Sequence, residues 1–415
     1  MAKLNESWCI ALLIAFATGC GANDPRAEGL GTEEQAAESA YDKRVLAAFE
    51  LNFYDLAGLP VVVACDDQHR LMYTFRVVGG MQLQLGWQPW IEVPSGGGCI
   101  GAPTVAKRLN KYGRDSVSIY GRFDDGHLWE AYMPDPAPDM GQGEVYWYDI
   151  SVASGIDALG PITDSPMLAD SGDADADEVS VVVKIGTGLK SVYTVDKANG
   201  AWRYRKVYAF GSTAVKTEYS VSTRGHLAPG HYAQIAGRGY AAGTTEEGTG
   251  WFARRIGFNS AYTRVAALDA PGVAGTPAPL FPADSGAFDE VEYARFGSSL
   301  KARNVTAGGG WQPFSNCYPA GMPRITTMPY GNGSLVGFIR GGETASVTSE
   351  LLLFVGGGGS CSSVGGALYS GPTPIEYAQY PYNFSNAAYK GPNNEVYFYN
   401  ADAGQHERVP GITLP

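Results

Sequence analysis

Two polar residues interrupt an apolar position that recurs along this chain. A proline precedes a short apolar stretch six times, at Pro103, Pro166, Pro229, Pro277, Pro323 and Pro374. Two positions after the proline, the residue is apolar in four cases: Val105, Leu168, Pro279 and Ile325. In the other two cases it is His231 or Glu376. A polar side chain at an apolar position costs burial free energy unless it is paired or used, so these interruptions mark a candidate site.

The neighbours of these interruptions could perform acid–base chemistry. His231 and Glu376 are each followed by a tyrosine, Tyr232 and Tyr377, and Arg324 follows one of the recurring prolines. Histidine and tyrosine can exchange protons with a substrate, and an arginine can neutralise a carboxylate. We therefore expect His231 and Tyr232 to be catalytic if the protein is an enzyme, while Glu376, Tyr377 and Arg324 bind the ligand. The competing interpretation is that His231 and Glu376 are hydrogen-bonded residues without a catalytic role.

The densest run of carboxylates lies at residues 170–178. Asp173, Asp175 and Asp177 alternate with other residues, and such spacing can direct oxygens towards one calcium ion. Glu178 stands where a calcium loop would have glycine, however, and no glutamate closes a twelve-residue loop. The run is therefore interpreted as a solvated turn between strands, with calcium as the alternative. No other cofactor is predicted.

Two tryptophans are candidates for stacking against a sugar. Trp129 and Trp251 lie in or near hairpins, where an aromatic face could be exposed. Large aromatic residues also fill the space between packed sheets. Each tryptophan is therefore either a ligand-binding residue or a core residue, and the sequence leaves both interpretations open.

The N-terminus has the features of an export signal. The apolar run at residues 10–17 is too short to span a bilayer as a helix, and it fits the central region of a signal peptide. The sequence Ala-Thr-Gly-Cys ending at Cys20 resembles the bacterial lipobox, whose cysteine becomes lipidated. We expect a signal peptide at residues 1–19, a lipid anchor on Cys20 and a polar tether over residues 20–44. The alternative is ordinary cleavage nearby, which would give a periplasmic or secreted protein.

Export places the remaining cysteines in an oxidising compartment. Four cysteines allow three pairings. We favour Cys65–Cys99 and Cys317–Cys361, because each pair lies within one of the repeating units described below. Metal binding is the competing interpretation, but no two of these cysteines have Cys-x-x-Cys spacing.

The charge of the chain argues against a nucleic-acid partner. The formal net charge is −12, and the basic residues are scattered along the sequence. Nucleic-acid binding depends on clustered lysine and arginine side chains that neutralise phosphates. We expect an extracellular ligand instead, with membrane association through the lipid anchor only.

The elements that must position these residues are short strands. From about residue 45 to the end, apolar-alternating runs of a few residues are separated by turns rich in Gly, Asp and Asn, and no helical periodicity is evident. The units begin near residues 45, 101, 164, 227, 274, 321 and 372. Sheets that repeat in this way bury both faces by packing around an axis. The sequence therefore predicts an all-β fold over residues 45–415, a seven-bladed β-propeller of four-stranded antiparallel blades.

The order of elements within a unit resembles a known family. A proline-led strand is followed by a strand such as Val-Ser-Ile-Tyr-Gly-Arg122, a turn such as Asp124-Asp-Gly and a tryptophan-led strand, as at Trp147. This order resembles the blades of seven-bladed bacterial fucose-binding lectins and related hemagglutinin-like propellers. Those lectins place paired tryptophans in nearly every blade, whereas only Trp87 and Trp90 form a near-pair here. The resemblance implies carbohydrate binding, but the family's repeated sugar pockets are not retained intact.

Three functions are compatible with these observations. The first is an exported propeller, at the outer membrane or cell surface, that binds extracellular carbohydrate. The second is a polysaccharide lyase or glycoside hydrolase on the same fold, in which His231 and Tyr232 would be catalytic. The third is an envelope scaffold that binds partner proteins.

Overall fold

The computed structural model describes most of the chain after the tether. The described residues are 43–53, 56–77, 85–94, 97–109, 115–133, 145–170, 178–186, 188–196, 202–210, 219–221, 232–238, 249–256, 263–274, 276–280, 291–305, 307–327, 335–341, 349–355, 359–375, 386–401 and 403–415. The predicted signal peptide and Cys20 lie outside them. None of the described helices is long and apolar enough to cross a membrane.

The described strands pair in chain order into seven antiparallel sheets. Sheet 1 consists of β1 (Leu46–Phe53), β2 (Leu56–Cys65), β3 (Leu71–Val77), β4 (Gly86–Trp87) and β5 (Ile91–Glu92). Sheet 2 consists of β6 (Cys99–Leu109), β7 (Asp115–Phe123), β8 (Leu128–Met133) and β9 (Tyr146–Asp149). Sheet 3 consists of β10 (Met167–Asp170), β11 (Glu178–Ile185), β12 (Gly188–Asp196) and β13 (Trp202–Phe210). Sheet 4 consists of β14 (Tyr219–Val221), β15 (Tyr232–Arg238), β16 (Gly250–Ile256) and β17 (Thr263–Arg264).

The last three sheets follow the same plan. Sheet 5 consists of β18 (Ala278–Leu280), β19 (Val291–Phe296), β20 (Ser299–Asn304) and β21 (Gln312–Pro313). Sheet 6 consists of β22 (Arg324–Thr327), β23 (Leu335–Gly341), β24 (Ser349–Val355) and β25 (Cys361–Leu368). Sheet 7 consists of β26 (Thr373–Pro374), β27 (Ala387–Lys390), β28 (Glu395–Asn400) and β29 (Gln405–Thr413). The described helical segments are short: α1 (Ile150–Ser154) and 3₁₀ turns at Asp157–Leu159, Ala266–Leu268 and Pro392–Asn394.

The sheets pack around an axis, as in a β-propeller. The first strand of each sheet contacts the first strand of the next, and β1 also contacts β26 of the last sheet. Apolar clusters lie between neighbouring sheets, for example between sheets 1 and 2 and between sheets 7 and 1. Packing both faces of every sheet removes apolar surface from water at about 25 cal/mol per Å². The predicted all-β propeller of antiparallel sheets is confirmed.

Side-chain contacts and a backbone hydrogen bond join the last sheet to the first: Asp67 N–H donates to the carbonyl oxygen of Thr413 at 2.8 Å. Arg76 of β3 donates two hydrogen bonds, of 2.7 and 2.8 Å, to the carboxylate of Glu407 in β29. Trp87 of β4 also donates to Glu407 and packs edge-on against Phe398. Burial tends to raise the pKa of Glu407, but these hydrogen bonds outweigh it and the pKa is lowered. Trp87, one of the two near-paired tryptophans, therefore has a structural role in joining sheet 1 to sheet 7.

The fourth sheet begins earlier than the sequence predicts. Its first strand is β14 at Tyr219, whereas the repeating prolines placed the start near residue 227. Tyr219 is buried, and its hydroxyl donates to the carbonyl oxygen of Val182 in sheet 3 at 2.8 Å. The segment after Pro229 therefore supplies the second strand, β15. Tyr232, which follows one of the recurring prolines, therefore lies on a second strand, whereas Val105 and Leu168 lie on first strands.

Both predicted disulfides are present, Cys65–Cys99 and Cys317–Cys361. The reason given was wrong for both pairs. Cys65 ends β2 of sheet 1 and Cys99 begins β6 of sheet 2, and Cys317 precedes β22, the first strand of the sheet that contains Cys361. The second disulfide joins β25 of sheet 6 to the segment that connects sheets 5 and 6. The first disulfide therefore links sheet 1 to sheet 2, and the second links sheet 6 to the segment that precedes it.

Candidate functional site

Two of the residues expected to form one site, Arg324 and Tyr232, do not share one end of the sheets. Arg324 is the first residue of β22, a first strand, and its side chain is buried. Tyr232 is the first residue of β15, a second strand. Successive strands are antiparallel, so first and second strands begin at opposite edges of the ring. The predicted grouping of Arg324 with Tyr232 was therefore wrong.

Several other predicted residues lie outside the described residues: His231, Glu376, Tyr377, Asp173, Asp175 and Asp177. Their proposed roles in catalysis, ligand binding and calcium binding stay predictions. Within the described part of the chain, no group of three His, Cys, Asp or Glu side chains is arranged to hold a metal ion.

The two candidate tryptophans have different surroundings. Trp251 of β16 is fully buried, so it is a core residue in this structure. Trp129 of β8 is partly buried and packs at the edge of the apolar cluster between sheets 1 and 2. Only Trp129 of this pair can present part of its ring to a ligand. We therefore take its surroundings as the candidate site.

Hydrogen bonds fix the Trp129 ring within the turn that joins β7 to β8. The indole nitrogen of Trp129 donates to Asp125 Oδ2 at 2.8 Å. The other oxygen of Asp125 accepts the backbone N–H of His127 at 2.8 Å. One carboxylate therefore orders both the turn and the indole, while Asp125 itself remains exposed.

A second carboxylate orders the histidine of this turn. His127 Nδ1 lies 2.8 Å from Asp149 Oδ2, and Asp149 Oδ1 accepts the backbone N–H of Val152 at the start of α1. The hydrogen bond to Asp149 raises the pKa of His127, and the charges of Asp125 and Asp157 act in the same direction. His127 is thus more readily protonated than an isolated histidine.

The Trp129 site, as we define it here, comprises Asp125, His127, Trp129 and Asp149 and the apolar residues beside them. Trp147 packs near Trp129 against Phe123, with ring centroids of Phe123 and Trp147 5.7 Å apart. Partly buried apolar residues continue this surface onto sheet 1: Tyr73 and Ile91. A flat aromatic face can stack against the C–H groups of a sugar, and carboxylates can accept its hydroxyl protons. The arrangement is suited to a neutral polyhydroxylated ligand.

Sequence reasoning identified Trp129 but missed the partners that orient it. His127, Asp125 and Asp149 were not among the predicted site residues. The sequence did indicate Asp125 as a partner of Trp129, because Asp125 lies four residues before it in the same hairpin. The contribution of Asp149 could not be read from this spacing, since it depends on the pairing of β8 with β9.

The chain is similar, at low identity, to several solved structures. A fungal lectin from Aleuria aurantia, described as a six-bladed β-propeller with a novel fucose recognition mode, is 13% identical; the match covers 77% of this chain and 96% of the lectin, with a TM-score of 0.42. AofleA from Arthrobotrys oligospora is 12% identical over 79% of this chain and 87% of its own, with a TM-score of 0.44. The β-propeller domain of the Trilobed protease from Pyrococcus furiosus is 7% identical over 90% and 100%, with a TM-score of 0.43.

These matches include both a lectin and a domain of a protease, so they do not indicate what this chain binds. No family model matches the sequence, and no curated protein matches it.

Proposed function

We propose that this chain is an exported, lipid-anchored β-propeller that binds extracellular carbohydrate at the Trp129 site. The observation that supports the proposal is the partly exposed indole of Trp129, held by Asp125 beside a second carboxylate. Binding sites for small ligands commonly combine aromatic faces with a few fixed polar groups. Because the hydrogen bonds within the turn already order the ring, little conformational entropy is lost when a sugar stacks on it.

The solved lectin from Aleuria aurantia, whose description names fucose recognition, motivates the choice of sugars for the test. A glycan array that includes fucosylated, neutral and uronate-containing oligosaccharides would identify candidate ligands. Isothermal titration with the best of these would then give an affinity. We expect Trp129→Ala to weaken binding at least tenfold, and Asp125→Asn to weaken it less, because the indole remains but is less well oriented.

Tyr146 provides a matched control for the tryptophan. It is 44% exposed and lies on β9, which pairs with β8, but it faces the opposite side of the sheet beside Tyr132. Tyr146→Ala removes an exposed aromatic ring from the same two strands and should leave the affinity unchanged. The proposal fails if no glycan binds, or if Trp129→Ala binds the array ligand as tightly as the unaltered protein. Binding to partner proteins alone would favour the envelope scaffold.

The anchoring part of the proposal rests on the sequence around Cys20. Metabolic labelling with a radioactive fatty acid should label the expressed protein, and Cys20→Ala should abolish both the label and membrane association. Release of unlabelled, shortened protein into the medium would instead indicate ordinary signal cleavage.

A further inference from the structure

One position of the second strand carries a basic residue in most of the sheets. It lies opposite the first apolar residue of the third strand, where Arg122 faces Leu128 and Arg340 faces Leu351. The corresponding residues in the other sheets that share this register are Cys65, Lys184, Arg295 and Lys390. We call this the hairpin position. It lies at the edge of the ring where the connecting segment from the preceding sheet arrives.

Two of these arginines bind the connecting segment of their own sheet. Arg295 Nη2 donates to the carbonyl oxygen of Ala274 at 3.0 Å, and Arg340 Nη2 donates to that of Ala320 at 3.2 Å. Both residues are buried. A buried guanidinium that is hydrogen-bonded to backbone carbonyls stabilises the fold and has a structural role. The hairpin position thus serves the fold in sheets 5 and 6.

Arg122 occupies the same position but has no such bond. Its guanidinium makes no hydrogen bond with any described residue, and its Nε is buried without a partner. The guanidinium lies beside Gly101, where a Cβ would be 4.0 Å from Arg122 Nη2 and 2.7 Å from Ser165 Oγ. Gly101 has a φ of +77°, and Ser165 Oγ occupies the place next to where its Cβ would lie.

Lys184 and Lys43 are further cations in the neighbourhood of Arg122. Lys184 holds the hairpin position of sheet 3 and is close enough to both Asp164 and Lys43 to feel their charges. The charge of Asp164 also acts on Arg122. Asp164 forms no ion pair within 4 Å of Arg122; its Oδ1 accepts the backbone N–H of Ser165.

The segment before β1 places Arg44 next to the segment that enters sheet 3. Arg44 Nη2 donates to the carbonyl oxygen of Pro166 in the segment that enters sheet 3, at 2.6 Å. The carbonyl oxygen of the neighbouring Lys43 accepts the N–H of Gly371, just before sheet 7. The chain therefore spans from sheet 7 to sheet 3 at this edge of the ring. The resulting basic cluster comprises Lys43, Arg44, Arg122 and Lys184, with Asp164 as its one described carboxylate.

Among the described residues, Arg122 is a cation of this cluster that has no hydrogen-bond partner. Burial lowers the pKa of Arg122, and Asp164 opposes that shift only in part. Burial also lowers the pKa of Lys184, Asp164 opposes this, and Lys43 adds to it. A partly desolvated guanidinium without a described hydrogen-bond partner attracts an anion, since the Coulomb energy of such a pair is larger in protein than in bulk water.

We propose that the basic cluster is a binding site for the oxyanion group of a ligand: a carboxylate, a sulfate or a phosphate. The planar guanidinium of Arg122 can donate two parallel hydrogen bonds to such a group. Lys184 and Lys43 supply point charges, and the hydroxyl of Ser165, whose oxygen accepts from Ala102 N–H, can donate its proton to the anion. The site uses no residue of the Trp129 site, so it stands independently of carbohydrate binding there.

Isothermal titration of the whole protein, in a buffer of low ionic strength without competing oxyanions, tests the site. The probes are sodium sulfate, inorganic phosphate, sodium glucuronate and, as a neutral control, glucose. We expect saturable binding of at least one anion, no binding of glucose, and affinity that falls as sodium chloride is added. Preference for glucuronate would identify a carboxylate ligand, whereas preference for sulfate or phosphate would identify a tetrahedral one.

Matched variants separate this site from general charge attraction. Arg122→Gln should weaken the preferred anion at least tenfold, and Arg122→Lys should weaken it less. Arg408→Gln removes the same charge from an exposed arginine that pairs with Glu395 on sheet 7, and it should have no effect. The proposal is overturned if no anion binds saturably, if Arg122→Gln binds normally, or if Arg408→Gln weakens binding as much as Arg122→Gln does. Circular dichroism of each variant confirms that it is folded.

Discussion

The hairpin position of sheet 1, of sheet 6 and of sheet 2 lies at the same register, but it has a different role in each. Cys65 in sheet 1 is covalently bound to Cys99 of the next sheet. Arg340 in sheet 6 is buried and hydrogen-bonded to the carbonyl oxygen of Ala320. Arg122 in sheet 2 has no hydrogen-bond partner among the described residues. Residues at one repeated position can thus serve stability in two sheets and be available for binding in a third.

The connecting segments explain the difference. In sheet 6 the segment before β22 pairs with the end of β23, where the N–H groups of Ala320 and Gly321 both donate to the carbonyl oxygen of Arg340. This brings the Ala320 carbonyl within reach of the guanidinium. In sheet 2 the register shifts between Ile100 and Thr104, and Gly101 bends the chain. Arg340 and Arg122 therefore differ because the neighbouring backbone places a carbonyl oxygen within hydrogen-bond distance of Arg340 and not of Arg122.

Removing the covalent link should have the largest effect on stability. The Cys65→Ala, Cys99→Ala double variant loses a disulfide with a sequence separation of 34 residues. We expect the free energy of unfolding to fall by about 3 kcal/mol, because the unfolded chain regains the conformations that the disulfide excluded. Urea denaturation with and without a reducing agent measures this, and the reductant should no longer change the urea midpoint through this bond. An unchanged midpoint in the double variant would contradict the expectation.

Removing the hydrogen-bonded arginine should have a smaller effect. Arg340→Met keeps much of the apolar stem but deletes the donor to Ala320, so a partly buried carbonyl loses this partner. We expect a loss of about 2 kcal/mol in urea denaturation. Arg295→Met, which deletes the equivalent bond to Ala274, serves as an internal repeat and should behave similarly. If both variants were as stable as the unaltered protein, the structural role of this position in sheets 5 and 6 would be excluded.

Adding a Cβ at Gly101, beside Arg122, should lower the free energy of unfolding less than Arg340→Met does. Gly101→Ala places a Cβ at a φ of +77° and 2.7 Å from Ser165 Oγ, so either the backbone or the serine must move. We expect a loss of about 1 kcal/mol, from the strain of a left-handed alanine. The same variant should weaken oxyanion binding, because it moves groups of the proposed site. Gly155→Ala, at a positive φ with open space around it, isolates the strain from the steric contact.

Removing Arg122 itself should affect stability least. Arg122→Met deletes a partly desolvated charge that has no described hydrogen bond, so the free energy of unfolding should change by less than about 0.5 kcal/mol or rise slightly. Measured beside Arg340→Met, this result would establish that one register position has two roles. A loss as large as that of Arg340→Met would remove the distinction between the two sheets.

The candidate site could be predicted only in part. Trp129 and Trp251 both lie near hairpins in the sequence, and nothing local separates them. Trp251 is fully buried in sheet 4, whereas Trp129 is partly exposed because it lies at the edge of a cluster. The fourth sheet was misplaced for a related reason: Pro229 imitates the proline that precedes first strands elsewhere, while Tyr219 provides the first strand without one. Local pattern cannot report which strand of a sheet a segment will occupy.

The sequence by itself determined the kind of fold. Alternating apolar residues and repeated turns require strands, and strands with two apolar faces require a partner on each side, which a ring of sheets supplies. The sequence also carries a basic residue at the end of the second strand in most of the sheets. Only the tertiary structure decided which of these arginines is hydrogen-bonded, because the carbonyl that Arg340 binds belongs to a connecting segment, while the glycine beside Arg122 lies at a register shift within β6. The path of each connecting segment depends on contacts between residues far apart in the chain, and no local spacing encodes them.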